Sequence, residues 1–105
     1  MFGLKDSEIE SICDVLKRYS AIVGARIYGS RARGTHKPYS DIDIAVSGDI
    51  DFQDSFRLHE DLDDLPMPYK FDVTVYNRVR NAALIDHINR EGKDLYVKEQ
   101  KNDHQ

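Results

Sequence analysis

Two aspartates separated by one residue, Asp41-Ile42-Asp43, stand just ahead of the apolar run Ile44-Ala45-Val46. In an extended chain residues i and i+2 share a face, so the two carboxylates lie side by side. A third carboxylate, Asp72, sits near the start of another alternating run, Lys70 to Tyr76. A Gly29-Ser30 pair closes an earlier apolar run, and ten residues separate Ser30 from Asp41. Two carboxylates about 4 Å apart repel by roughly 4 kcal/mol at an effective dielectric of 20. Three acids brought together therefore need protons or cations. Hard oxygen ligands of this kind suit Mg²⁺ or Mn²⁺, and Mg²⁺ usually completes its shell with water and substrate phosphates. Two such ions can activate an attacking oxygen and steady a leaving pyrophosphate in an in-line displacement. Gly29, without a side chain, lets the backbone approach a phosphate closely. Ser30 is expected to cap a short helical turn whose free N–H groups form an anion site. Arg31, Arg33 and Lys37 lie in the same loop and can meet the charge of a triphosphate.

The elements that must position these groups follow from periodicity. Ile9, Ile12, Cys13 and Leu16 recur at i, i+3, i+4 and i+7, which predicts a first helix capped by Asp6 or Ser7, with Ser7 and Glu10 at capping-box spacing. Cys13 within that stripe reads as a buried structural thiol. Ala21 to Tyr28 predicts a strand, and Ser40 to Val46 a second, with Ile42, Ile44 and Val46 on one face and Asp41, Asp43 and Ala45 on the other. Phe52 to Leu65 predicts a helix with Phe52, Phe56, His59 and Leu62 on one side, ended by Pro66 and Pro68. Lys70 to Tyr76 predicts a third strand, with Asp72, Thr74 and Tyr76 opposite Phe71, Val73 and Val75. Asn81 begins a last helix through Leu84, Ile85 and Ile88 that stops at Gly92, and Asp94 to Val97 can add a short strand. The expected fold is α/β (α+β), a small mixed sheet flanked by helices. If the first two strands are antiparallel neighbours and the third runs parallel to the second, Gly29-Ser30, Asp41, Asp43 and Asp72 converge at one end of the sheet.

The string Gly29-Ser30-x10-Asp41-x-Asp43, with Asp72 on a later strand, resembles the nucleotidyltransferase motif of the DNA polymerase β superfamily. The stretch IYGSRARGTHKPYSDIDIAV is similar to the short minimal nucleotidyltransferases, or MNT proteins, and the resemblance runs from about Ile22 to Tyr96. It implies a polymerase β palm-like fold and a two-metal site that uses Mg²⁺ (or Mn²⁺) and an NTP, with ATP as the expected co-substrate. It implies Asp41, Asp43 and Asp72 as catalytic metal ligands, Asp72 also activating the acceptor hydroxyl, and Gly29-Ser30 as the phosphate-binding turn. It further implies a helical HEPN partner encoded alongside, to whose tyrosine AMP is attached, as in toxin–antitoxin pairs. Two other functions remain open on the sequence: an antitoxin that acts by docking or nucleotide binding without chemistry, and an adenylyltransferase for small molecules.

Competing motifs fit less well. GSRARGTH has P-loop glycine spacing, but Thr35 and His36 stand where Lys and Ser/Thr are required. In a haloacid-dehalogenase-like arrangement the acids leave the end of their strand, whereas here they enter it. His36, His59, His87 and His104 have no zinc-ligand spacing, and His87 reads as a surface residue. Tyr28, Tyr69 and Tyr76 read as packing residues, and the acids Asp49, Asp51, Asp54, Glu60, Asp61, Asp63 and Asp64 as a solvated face. At 105 residues the chain suits one domain, residues 1–97, followed by a polar tail, 98–105. A net charge of −4 argues against gripping long nucleic acid. A single cysteine, no signal-peptide pattern and no apolar run near the ~20 residues of a membrane span lead to an expected cytoplasmic protein.

Overall fold

The computed structural model describes residues 1–99. The expected polar tail thus lies mostly outside the described residues. The order is α1 (Asp6–Lys17), β1 (Ile22–Tyr28), α2 (Ser30–Arg33), β2 (Ile42–Gly48), α3 (Phe52–Asp63), β3 (Phe71–Val75), a 3₁₀ turn (Tyr76–Arg78), α4 (Ala82–Glu91) and β4 (Lys93–Val97). The strands form one mixed sheet in the order β3-β2-β1-β4. As expected, β1 and β2 are antiparallel, and β3 joins β2 in parallel through the α3 crossover. β4 pairs antiparallel with β1 on the far side.

Alternation in β2 is clean. Ile42, Ile44 and Val46 are fully buried on the face covered by α1 and α3, together with Ile12, Val15, Leu16, Leu58 and Leu62. β1 cannot alternate so simply, because Ile22, Ala25 and Ile27 are all buried although Ile22 has the opposite parity. A bulge between Ile22 and Gly24 inserts one residue, leaves Val23 exposed and restores the inward phase. The opposite face of the sheet is covered by α4, where Ile88 and Leu84 pack on Tyr28, Ala45 and Tyr76.

Three local expectations are corrected. The first helix is preceded by Lys5, and Glu8, not Glu10, reaches back to accept from the Lys5 N–H at 2.9 Å. Neither Asp6 nor Ser7 is the cap, because both already lie within the helix. On α3 the buried stripe is Leu58 and Leu62, while Phe52 and Phe56 are 82% and 66% exposed. The branched aliphatic pair faces the sheet, and the Phe pair, on another side of the helix, is left in solvent. Cys13 is half-buried, not fully buried; its Sγ donates to the Leu95 carbonyl, and burial pushes its thiol pKa up.

Arg31 is the one buried charged residue among the described residues, at 2% exposure. Its guanidinium donates from Nε and Nη2 to the Ser40 carbonyl (3.1 and 2.9 Å), from Nη1 to that of Phe2 (2.9 Å) and from Nη2 to that of Pro38 (3.3 Å). It also lies over the Tyr69 ring, 4.8 Å from the centroid. One side chain thereby ties the N-terminal segment to the loop that delivers β2. Lysine cannot reproduce this planar fork. Arg31→Lys is expected to cost about 2 kcal/mol or more, lowering the thermal midpoint by roughly 10 °C. Differential scanning calorimetry checks this, and an unchanged midpoint would contradict a clamp role.

Candidate active site

In the sheet register Tyr28 of β1 is opposite Asp43 of β2, and Asp43 is opposite Asp72 of β3. Residues opposite one another across paired strands point to the same face. Tyr28, Asp43 and Asp72 therefore form one row on the face away from the α1/α3 core. Asp41 stands just before β2 on the same side, exposed, where Ile42 N–H already bonds to the Lys70 carbonyl at 2.8 Å. At the end of β1 Gly29 turns the chain at φ +76°, a conformation that L side chains rarely adopt. A Cβ there would collide with Asp43 Oδ2. The glycine thus lets the turn and the central carboxylate approach each other.

Electrostatics follow from this crowding. Asp43 is half-buried, and its carboxyl pKa is raised first by burial and then by the neighbouring charges of Asp72 and Asp41. His87 and Arg33 pull it the other way. The Tyr28 phenol is also raised, chiefly by burial; its hydrogen bond with Thr74 Oγ1 (3.1 Å) opposes the shift, while Asp72 and Asp43 reinforce it. Tyr28 is thereby held neutral between the acids and α4.

Of the residues singled out in the sequence, Gly29, Asp41, Asp43 and Asp72 are brought to one end of the sheet. Ser30 joins them as the first residue of α2 and not as its cap, a position taken by Gly29. Arg33 reaches the site's edge, ion-paired with Glu91 at 3.7 Å and half exposed. Lys37 stands exposed in the connecting loop, its backbone N–H donating to Ser40 Oγ at 2.7 Å. Arg31 does not face the site: its donors are spent on carbonyls, which removes it from the residues free to meet a phosphate. His87 was expected on the surface, but its ring packs edge-on against Tyr28 with centroids 6.0 Å apart, and its Nδ1 lies 2.5 Å from Glu91. The sequence signal was available, because His87 is at i+3 from Leu84 on the inward stripe of α4.

The donor set fits hard divalent cations. Three carboxylates share a corner of the sheet, and the central one is raised first by burial and then by the charges of the other two, a repulsion that a cation relieves. Among the described residues no group of three or more His, Cys, Asp or Glu side chains is placed so that it could hold a metal ion. Mg²⁺ does not demand one, since it keeps waters and takes phosphate oxygens from its substrate.

The profile of the family described as polymerase beta, nucleotidyltransferase, matches residues 10–101. The chain belongs to that family. No curated protein matches it. Among solved structures, a toxin–antitoxin complex with AMP-PNP superposes with a TM-score of 0.73 at 22% identity, over 87% of this chain and 74% of that one. The MNT antitoxin bound to a tri-AMPylated Shewanella oneidensis HEPN toxin gives 0.69 at 18% identity, over 90% and 74%. The MntA–HepT toxin–antitoxin pair gives 0.68 at 18% identity, with the same coverage. The family's small mixed sheet with flanking helices is the fold found here. No helix among the described residues is long and apolar enough to cross a membrane.

The raised pKa of Asp43 has a sign that can be tested. A carboxyl whose pKa is higher in the folded than in the unfolded state favours folding while protonated, and that contribution is lost as pH rises through the folded value. In metal-free buffer Asp43→Asn is expected to hold its thermal midpoint from pH 4 to 7 better than the native protein. A midpoint below the native one across this range would contradict the crowded-carboxylate reading. Gly29→Ala is expected to lower nucleotidyl transfer at least tenfold, because it displaces the Asp43 carboxylate; a steady-state assay checks it.

Proposed function

We propose that this chain transfers AMP from ATP to a hydroxyl, a tyrosine of a helical HEPN-type partner, and acts as the antitoxin of that pair. The observation that carries the reading is the row Tyr28, Asp43 and Asp72 beside the Gly29 turn, with Asp41 next to it. Family membership supports the nucleotidyl chemistry. The choice of AMP and of a HEPN acceptor is supported by the tri-AMPylated HEPN toxin bound to an MNT antitoxin of the same fold.

Gly29 and Ser30 bind the β- and γ-phosphates, and Arg33 and Lys37 approach them from the loop. Asp41, Asp43 and Asp72 are the residues that would hold Mg²⁺, which would supply positive charge to offset that of the triphosphate and of the leaving pyrophosphate. Asp72, exposed at the end of the row, accepts the proton of the acceptor hydroxyl. The hydroxyl oxygen forms a bond to the α-phosphorus, the bond from that phosphorus to the bridging oxygen breaks, and pyrophosphate leaves with the electron pair. Tyr28, held by Thr74, buttresses Asp43 from the β1 side. A cytoplasmic location suits an ATP-consuming protein with a single unpaired thiol.

Incubation with ATP, Mg²⁺ and the HEPN-fold protein encoded beside this chain is expected to add one or more AMP units to that protein by intact-mass spectrometry. Asp41→Asn or Asp43→Asn is expected to slow the addition at least 100-fold while the far-UV circular dichroism spectrum stays unchanged. Transfer at the native rate by either variant would refute the mechanism. Chelation with EDTA is expected to stop transfer, and excess Mg²⁺ to restore it.

A further inference from the structure

The phosphate-binding turn and the acids leave one flank of the site unassigned. Gly29-Ser30 follows β1, on one side of the β2 acids, while Asp72 lies on β3, on the other side. With strands about 4.8 Å apart, these flanks are roughly 10 Å from each other. In an in-line displacement the attacking oxygen enters opposite the departing pyrophosphate. If pyrophosphate leaves toward Gly29-Ser30, the acceptor must come from beyond β3.

A cleft lies there. It has a volume of about 450 Å³ and runs between α3 and the edge strand β3. Phe52, Ser55, Phe56 and His59 line one side, and Asp41 and Asp72 stand at its end. His59 Nε2 lies 2.9 Å from the Phe71 carbonyl, which fixes the helix against the strand edge. Phe52 and Phe56, at i and i+4 on α3, are 82% and 66% exposed. Arg78 lies over the Phe52 ring, 4.5 Å from its centroid, and fixes the ring at the rim. Two phenyl rings leading to a carboxylate end suit a particular guest: an aromatic ring that carries a hydroxyl. Ring contacts of this kind contribute binding beyond the area that they bury, and the hydroxyl would arrive at Asp72. A nucleobase in the same cleft would register in the ATP KM and not in that of the acceptor.

We infer that this cleft is the acceptor subsite, that it takes a phenol side chain presented by the partner protein, and that Phe52 and Phe56 determine acceptor specificity. The inference rests on the transfer reaction proposed above. The phenolic oxygen is aligned on the α-phosphorus, its proton passes to Asp72, and pyrophosphate departs on the Gly29 side.

The test is steady-state transfer of AMP to a HEPN-fold partner protein, with ATP and Mg²⁺ and with each substrate varied in turn. Phe52→Ala combined with Phe56→Ala is expected to raise the acceptor KM at least tenfold and leave the ATP KM within twofold. Both side chains are solvent-exposed, so the core is unaffected. An unchanged acceptor KM, or a rise in the ATP KM instead, would overturn the assignment. Ser55→Trp, which fills the cleft, is expected to abolish transfer while binding of a fluorescent ATP analogue persists; transfer at the native rate through the filled cleft would count against it. A photo-reactive p-benzoylphenylalanine in place of Phe56 separates this inference from the reading beneath it, since cross-linking needs no transfer. Cross-links to a tyrosine-bearing segment of the partner support the cleft even where no AMP is transferred, an outcome that would refute the transfer reading alone. Cross-links elsewhere, or none, overturn the cleft even where transfer is robust.

Discussion

In β2, burying the core and presenting the acids are a single event. Ile42, Ile44 and Val46 enter the layer beneath α1 and α3, and the two-residue period of a strand then forces Asp43 to the other face. A slip of one residue would bury the carboxylates and expose the isoleucines, so hydrophobic burial sets the register of the site. The magnitudes permit this. Three fully buried aliphatic side chains contribute about 5–9 kcal/mol. That exceeds the roughly 4 kcal/mol of repulsion between two carboxylates at 4 Å in an effective dielectric of 20. The cluster is therefore held by a core that does not need it, and both the burial of Asp43 and its acidic neighbours push its pKa up.

The loop between the Gly29 turn and Asp41 is fixed by different means. It has few apolar anchors, and Arg31 holds it by satisfying the carbonyls of Pro38 and Ser40 while also reaching Phe2. A buried guanidinium is costly unless its donors are paired. Here they are paired with the backbone oxygens of Phe2, Pro38 and Ser40. On the short turn α2 the two arginines part company: Arg31 points inward as a brace, and Arg33 outward to Glu91 and the edge of the site. A single helical turn thus supplies both the structure of the loop and the charge at the edge of the acidic row.

The site that results is an open corner of a sheet, not a deep pocket. Its β1 side is closed by the glycine turn and by α4, which brings His87 against Tyr28 beside Asp43. Its β3 side is an edge strand with a shallow aromatic cleft beside it. Such asymmetry suits a transferase whose second substrate is itself a folded protein, able to bring its own surface to complete the enclosure.

Much of this was legible in the sequence because it depends on local rules. The i, i+2 placement of Asp41 and Asp43, the strand carrying Asp72 and the glycine at the turn follow from backbone periodicity and sterics. What only the tertiary structure decided includes the strand pairings, which the sequence reading could set only as a condition, and which of several available faces wins the core. α3 carries a Phe stripe and a Leu stripe, and nothing in the chain alone ranks them; packing against the sheet chose Leu58 and Leu62 and left Phe52 and Phe56 in solvent. Arg31, Arg33 and Lys37 are indistinguishable as loop cations until the carbonyls of distant residues claim one of them. His87 lies 44 residues from Asp43 in sequence, and only the docking of α4 onto Tyr28 brings it within reach of that carboxylate. Periodicity settles the direction in which each side chain points, whereas long-range packing settles what each one meets.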